Sequence, residues 1–282
     1  MVLAPVLGLL LVLLAAGTAG ACPGAGSRCE VPGGGYYIRM PAQHSSPVRA
    51  VVHAHGYGAS GRSVIGNAGL TEPFLQAGLA VVAPDGMRRA GRNGRTWHVL
   101  PYVTERHGRR DEVAFIEAVM RDAEHRFGVD RRQSLLSGFS LGGSLVWTVA
   151  CAAPRMFAAH APVAGAFWRP PPQECAGPVS LLHTHGWRDR TVPIEGRSIR
   201  NGMLRQGDVF DGLETLRRAN GCTPARGLVA ETAGRFWLRR WDACRAGNLQ
   251  LALHPGGHEI PQGWHRLVLD WFRAVVSRSA TR

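Results

Sequence analysis

Lysine is missing altogether. The 33 basic residues of this 282-residue chain are all arginine, and against 20 acidic residues they leave a formal charge of +13. The arginines are spread through every segment rather than gathered into a stripe, which reads as a coding bias and argues against a nucleic-acid partner. Two basic runs, Met87–Arg95 and Arg106–Arg110, would suit an anionic polymer or membrane surface, but a solvated loop is the plainer reading of both. No two cysteines stand at C-x-x-C spacing and no histidine cluster lies near one, which argues against a bound metal. Internal repeats, a low-complexity linker and a composition break are absent too, so residues 22–282 are expected to form one domain.

What is present begins with a leader. Met1–Ala21 is uncharged, has a Leu/Val core from Leu7 to Leu14, and ends in small residues, with Ala19 and Ala21 in an A-x-A-like pattern before Cys22. It is expected to be a signal peptide of a secreted or periplasmic protein that keeps no stable membrane insertion after cleavage. The n-region has no arginine, so a retained anchor and a lipid-modified Cys22 stay open, although the apolar core is short for a span. The cysteines Cys22, Cys29, Cys151, Cys175, Cys222 and Cys244 form an even count, which behind a signal peptide reads as disulfides. Sequential pairing is expected, Cys22–Cys29, Cys151–Cys175 and Cys222–Cys244, each closing a local loop and stiffening segments near the site.

Short apolar runs alternate with helical periodicity. Strands are expected over 35–40, 48–55, 79–83, 157–165, 179–185, 236–241 and 249–254, with one more leading into Ser140. The clearest helix runs from Asp111 to Phe127, where Val113, Phe115, Ile116, Val119 and Met120 share a face, acidic residues open it and Gly128 closes it. Further helices are expected before Gly78, after Ser140, over 210–220 and over 264–276. This rhythm implies a doubly wound, mostly parallel α/β sheet with helices on both faces.

The chain is organised around Leu135-Leu136-Ser137-Gly138-Phe139-Ser140-Leu141-Gly142-Gly143. An apolar run, Gly-x-Ser-x-Gly and a second apolar run read as strand, sharp turn and helix, the setting of an exposed nucleophilic serine. A serine hydroxyl is a poor nucleophile near pH 7 and needs a base, and the base needs an acceptor to hold its tautomer. The acid candidate is Asp189 in His185-Gly186-Trp187-Arg188-Asp189-Arg190, straight after a strand; Asp208, Asp211 and Asp242 are rivals, the first two better suited to helix capping. The base candidate is His258 in Pro255-Gly256-Gly257-His258, after the last strand, whereas His254 and His265 sit in more structural positions. Two backbone N–H groups should receive a developing oxyanion, those of Leu141 and Tyr57. His53/His55 and His183/His185 alternate on strands as metal ligands would, but no carboxylate accompanies them. Trp168 and Trp187 flank the expected site loops and suit either a binding groove or ordinary partial burial.

His55-Gly56-Tyr57-Gly58-Ala59-Ser60, Gly138-Phe139-Ser140-Leu141-Gly142-Gly143, His185-Gly186-Trp187-Arg188-Asp189-Arg190-Thr191-Val192-Pro193, Asn220-Gly221-Cys222 and Gly256-Gly257-His258 together resemble the secreted polyhydroxybutyrate depolymerase and feruloyl-esterase-like group of α/β-hydrolases. The likeness runs from about Gly34 to the last helix. It implies hydrolysis of carboxylic esters by Ser140, Asp189 and His258 without a cofactor. The implied partner is a small-molecule or oligomeric ester, and hydroxyalkanoate oligomers, feruloyl or acetyl sugar esters and small xenobiotic esters all stay open; a monomer is expected. Leu141 stands where many members have a polar residue, and His258 is followed by Glu-Ile-Pro rather than an aromatic and Pro; both departures touch the substrate's surroundings. A serine peptidase or acyltransferase on the same scaffold, and a non-catalytic protein binding an anionic envelope polymer, are the other readings.

Overall fold

Alternation along short apolar runs decides the architecture: Val51 and Val81 pack on one side of a sheet, Val52 and Val82 on the other. The computed structural model describes residues 22, 26–89, 91–100, 110–223 and 228–280; the leader 1–21 and the basic run 106–109 lie outside them. In chain order the elements are β1 (Cys29–Val31), β2 (Gly34–Arg39), β3 (Ala50–Ala54), α1 (Gly61–Ile65), α2 (Ala68–Gln76), β4 (Ala80–Pro84), β5 (Met87–Arg88), β6 (Arg95–Thr96), α3 (Glu112–Phe127), β7 (Leu135–Phe139), α4 (Leu141–Ala152), β8 (Ala159–Val163), β9 (Ser180–Gly186), β10 (Ser198–Ile199), β11 (Leu204–Arg205), α5 (Val209–Ala219), β12 (Leu228–Ala233), β13 (Phe236–Trp241), β14 (Asn248–His254) and α6 (Trp264–Ala280).

Ten strands form one sheet in the order β1-β2-β4-β3-β7-β8-β9-β14-β13-β12. From β4 to β14 every pairing is parallel, and antiparallel strands finish both edges. One face buries α1, α2 and α6 through Val64, Leu70, Phe74, Trp264 and Phe272. The other buries α3, α4 and α5 through Phe115, Met120, Leu145, Trp147 and Leu213. This is the doubly wound α/β sheet expected from the sequence, and it puts the loops after β3, β7, β9 and β14 at the same carboxyl edge, where ligands bind in such sheets.

Helix ends follow their local chemistry. Asp111 caps α3 by accepting from Val113 N (2.9 Å) and Ala114 N (3.0 Å), and Gly128 ends it at φ 65°. Asp208 caps α5 through Phe210 N, which settles that rival acid as structural. In contrast α4 starts directly after Ser140 with no side-chain cap, so its first N–H groups are left open at the sheet's edge. The three disulfides pair as expected. Their placement differs in part: Cys151 lies about three turns along α4 from Ser140, and Cys222–Cys244 ties the end of α5 to the β13–β14 connection, so neither bridge bears on the loops of Asp189 and His258.

The basic loop after β4 is also not simply solvated. Asp85 is buried and pairs with Arg28 (2.8 Å) and Arg95 (3.1 Å), while Glu112 is buried against Arg110 (2.7 Å). A buried carboxylate demands a partner, and these arginines supply it. Trp97 of the same loop is wholly buried and donates its indole N–H to the His55 carbonyl at 2.7 Å.

Candidate active site

β7 delivers Ser140 into a turn with φ 58° and ψ −120°, a region that costs a residue with a side chain about 1–3 kcal/mol. The turn is pinned by Ser140 N donating to Val163 O (2.9 Å) and by Ser144 N donating to Ser140 O (3.0 Å). Gly142 is required by close approach: a Cβ there would run into the carbonyls of Ala54, the last residue of β3, and of His55 just after it. A small residue two positions after the serine therefore lets α4 lean on the neighbouring strand, and the serine hydroxyl is presented at the edge.

The three side chains singled out in the sequence converge. His258 Nε2 lies 2.9 Å from Ser140 Oγ and His258 Nδ1 lies 2.7 Å from Asp189 Oδ2. Asp189 Oδ1 accepts from Thr191 N and Val192 N, both at 2.8 Å. Burial alone would raise the Asp189 carboxyl, but the His258 hydrogen bond, the Val192 N–H and the His258 charge outweigh it and hold it below the ordinary carboxylate value. The two loops are held to each other by backbone bonds, Trp187 N to His254 O (2.8 Å) and Arg188 N to Gly256 O (3.0 Å). Gly186 makes this possible, because a side chain there would strike the Gly256 and Gly257 carbonyls. Phe139 packs its ring 4.8 Å from the His258 imidazole and limits its swing.

Leu141 and Tyr57 both line a cleft of about 330 Å³ that opens on Ser140. The Leu141 N–H is among the uncapped N–H groups at the start of α4, and its neighbourhood carries the positive end of the helix dipole. A Cβ added at Gly56 would stand in ordinary van der Waals contact with Ser140 and Phe139, so the turn that leads into Tyr57 runs beside the serine. This turn is braced from behind: Gly58 N donates to Arg95 O (2.8 Å), Arg95 N to Ala59 O (3.2 Å), and Asp85 accepts from Gly61 N (2.8 Å). The Arg89 guanidinium covers the Tyr57 ring at 4.2 Å. The Asp85 anchor escaped the sequence reading; its signal was a carboxylate in Pro84-Asp85-Gly86 at the end of an apolar strand.

The remaining wall of the cleft includes Trp168, which the sequence offered as a groove residue, together with the ribbon β10–β11, which it did not point to. Phe167 and Trp168 after β8, Ile199 of β10, Leu204 of β11 and Val192 make it largely apolar, with Arg197 and Arg200 beside them. Gln206 is buried among them; its amide N–H donates to Thr191 O (3.2 Å), while its Oε1 and the Trp168 indole N–H are buried without a hydrogen-bond partner. The two His-x-His pairs serve the framework. His55 Nε2 accepts from Gly86 N (3.0 Å), and its Nδ1–H donates to Gly56 O (2.8 Å). His183 bonds His185 (2.9 Å), and His185 Nε2 reaches Val192 O (2.8 Å), tying β9 to the loop of Asp189. Burial pushes His55 down to about 4 and lowers His183 and His185, so these imidazoles stay neutral. Among the described residues no group of three His, Cys, Asp or Glu side chains stands together as a metal-ligand set.

A doubly wound sheet that brings together a serine, an aspartate and a histidine, in that chain order, defines an α/β-hydrolase. Residues 35–197 match the model of the family described as "Putative esterase", and the chain belongs to that esterase family. It is similar to feruloyl esterase C of Emericella nidulans, 26% identical over 82% of this chain and 78% of the relative, and to feruloyl esterase D of Neurospora crassa, 24% identical over 80% and 74%. Among solved structures, the acetyl xylan esterase from Aspergillus awamori superposes with a TM-score of 0.64 at 17% identity, covering 86% of this chain and 94% of that one. The protein is a carboxylic-ester hydrolase.

Proposed function

We propose that this protein is a secreted serine esterase that forms an acyl-enzyme on Ser140. The observation that carries the reading is the unbroken hydrogen-bond line from Ser140 Oγ through His258 to Asp189, at 2.9 and 2.7 Å. His258 Nε2 takes the Ser140 proton as Oγ attacks the ester carbonyl; Asp189 holds the Nδ1–H tautomer and offsets the imidazolium charge. The Leu141 and Tyr57 N–H groups receive the carbonyl oxygen as it gains charge. His258 then gives the proton to the leaving alcohol, and a water, deprotonated by the same imidazole, releases the acid and restores Ser140.

The acyl group we assign to the cleft is apolar and flat enough to lie against Phe167 and Trp168, with a hydroxyl for Gln206 Oε1. A hydroxycinnamoyl group meets this description, in keeping with the feruloyl esterases to which the chain is similar. A 3-hydroxyacyl oligomer offers the same hydroxyl and is the second reading. The Met1–Ala21 leader and the disulfides, which persist in oxidising compartments, support export. Turnover of methyl ferulate, methyl cinnamate, a hydroxybutyrate trimer and a ferulic anilide, each with the full protein and with Ser140→Ala, tests the proposal. Ester hydrolysis that vanishes in Ser140→Ala, with no anilide cleavage, is expected. Salt-sensitive binding to an anionic polymer without any ester turnover would replace it with the non-catalytic reading.

A further inference from the structure

The ribbon beside the acyl cleft carries a charge that the reaction above leaves unused. β10 and β11 pair antiparallel, with Ser198 opposite Arg205 and Ile199 opposite Leu204. Gln206 N donates to Arg197 O at 2.9 Å, which extends the register to Arg197 opposite Gln206. Successive side chains alternate between the two faces of such a ribbon. Arg197, Ile199, Leu204 and Gln206 therefore share one face, and all four line the cleft; Ser198 and Arg205 share the other, and neither lines it. Arg200, in the turn after Ile199 at φ 50°, lines the cleft as well.

Arginine is common in this chain, so an arginine at a rim means little by itself. What distinguishes Arg197 is its surroundings. Among the described residues no acidic side chain lines the cleft, and the Arg197 guanidinium makes no ion pair, although Glu195 stands two positions before it. Arg95 and Arg169, next in sequence to the cleft residues Thr96 and Trp168, are both paired, with Asp85 (3.1 Å) and Asp211 (2.9 Å). Trp168 bridges to Gln206, in the same cross-strand row as Arg197, and its indole N–H is buried without a partner. The cleft thus offers an apolar lining, a guanidinium and an unpartnered N–H donor, with no carboxylate to match them.

We infer that the acyl half of the favoured ester carries a second, free carboxylate that Arg197 holds: the substrates are mono-esters of dicarboxylic acids with a flat apolar spacer. The inference rests on the esterase reading and names what meets the charged rim of its acyl cleft. A carboxylate matches the guanidinium fork. It is acceptor-only, so it can also take the Trp168 N–H, leaving Gln206 Oε1 to a ring hydroxyl. Hydrolysis breaks the ester bond at Ser140 and releases the diacid and the alcohol. A neutral acyl group covers the same apolar lining but gains nothing from Arg197. Because Arg197 is exposed, water and salt screen the pair, so its effect is a modest factor rather than a switch.

The test compares methyl 4-carboxycinnamate with methyl 4-carbamoylcinnamate, which matches it in shape and lacks the charge. In the unmutated protein kcat/KM is expected to favour the carboxylate by about three- to tenfold, mostly through KM, and added salt should shrink the ratio. Arg197→Gln should bring the ratio to about one, and Arg197→Lys should keep part of it. Arg205→Gln, on the opposite face of the ribbon, should leave it unchanged; circular dichroism checks that each variant is folded. Calorimetric titration of Ser140→Ala with the two esters reads the same preference without turnover. A carbamoyl ester that is bound and hydrolysed as well or better, or a preference that survives Arg197→Gln, overturns the inference. Loss of the esterase reading would show separately, as absent p-nitrophenyl acetate turnover in the unmutated protein, with the binding preference still measurable.

Discussion

Asp189 shows how much one carboxylate does. Its Oδ2 orients His258 while its Oδ1 takes two backbone N–H groups, so both oxygens are spoken for. Replacing it by asparagine keeps the shape but reverses the hydrogen-bonding preference toward Nδ1. Asp189→Asn is expected to lower kcat on the order of ten-thousand-fold with little change in KM, read from steady-state ester hydrolysis. At Gln206 the expected effect is on selectivity. Gln206→Leu removes the unpartnered acceptor, so the preference for methyl ferulate over methyl cinnamate should shrink by roughly tenfold while the rate on methyl cinnamate holds. The difference in legibility between these residues is physical. Ser140, Asp189 and His258 each follow a strand directly, so local pattern plus chain order locates them. Gln206 and Trp168 become neighbours only through the β10–β11 ribbon and the bridge between residues 168 and 206, which no local pattern encodes.

At the scale of elements, the elbow depends on α4 lying against β3. Gly142→Ala pushes a methyl into backbone carbonyls that have no room to move, so loss of folded protein or of all activity is expected, checked by circular dichroism alongside turnover. Removing the Cys151–Cys175 bridge should act on stability alone. For a loop of sequence separation 24 the expected loss is about 3 kcal/mol, read by denaturant unfolding, with kcat unchanged because the bridge lies at the far end of α4. The long strands and α3, α5 and α6 were legible because their apolar spacing matches one period over many residues. The ribbons β5–β6 and β10–β11 are two residues per strand, too short for any period. β12 escaped because Glu231, Thr232 and Ala233 on this edge strand are exposed; its signal was the two-residue Gly234-Arg235 turn that sets Ala233 opposite Phe236.

Across the whole molecule, burial of neutral imidazoles sets the acid limit. His53 is pushed down to about 3, and His55 and His160 to about 4, from 6.5, mainly by burial. The unfolded chain therefore takes up protons below pH 6.5 that the folded chain refuses, and stability falls as pH falls, by about 1.4 kcal/mol per pH unit for each such group. Asp189 works in the same direction in a lower window: its contribution is present above the unfolded carboxylate value and is lost as pH drops through its depressed folded one. The melting temperature should hold steady above about pH 7 and decline steadily from pH 6.5 to 4.5; a flat profile across that range would contradict this picture. The catalytic claim is tested most directly by incubating the folded protein with a fluorophosphonate and mapping the adduct by peptide mass spectrometry. The account predicts a single adduct on Ser140, absent from Ser140→Ala and strongly slowed in His258→Ala. An unmodified Ser140 in folded protein, or an adduct on another residue, would contradict it.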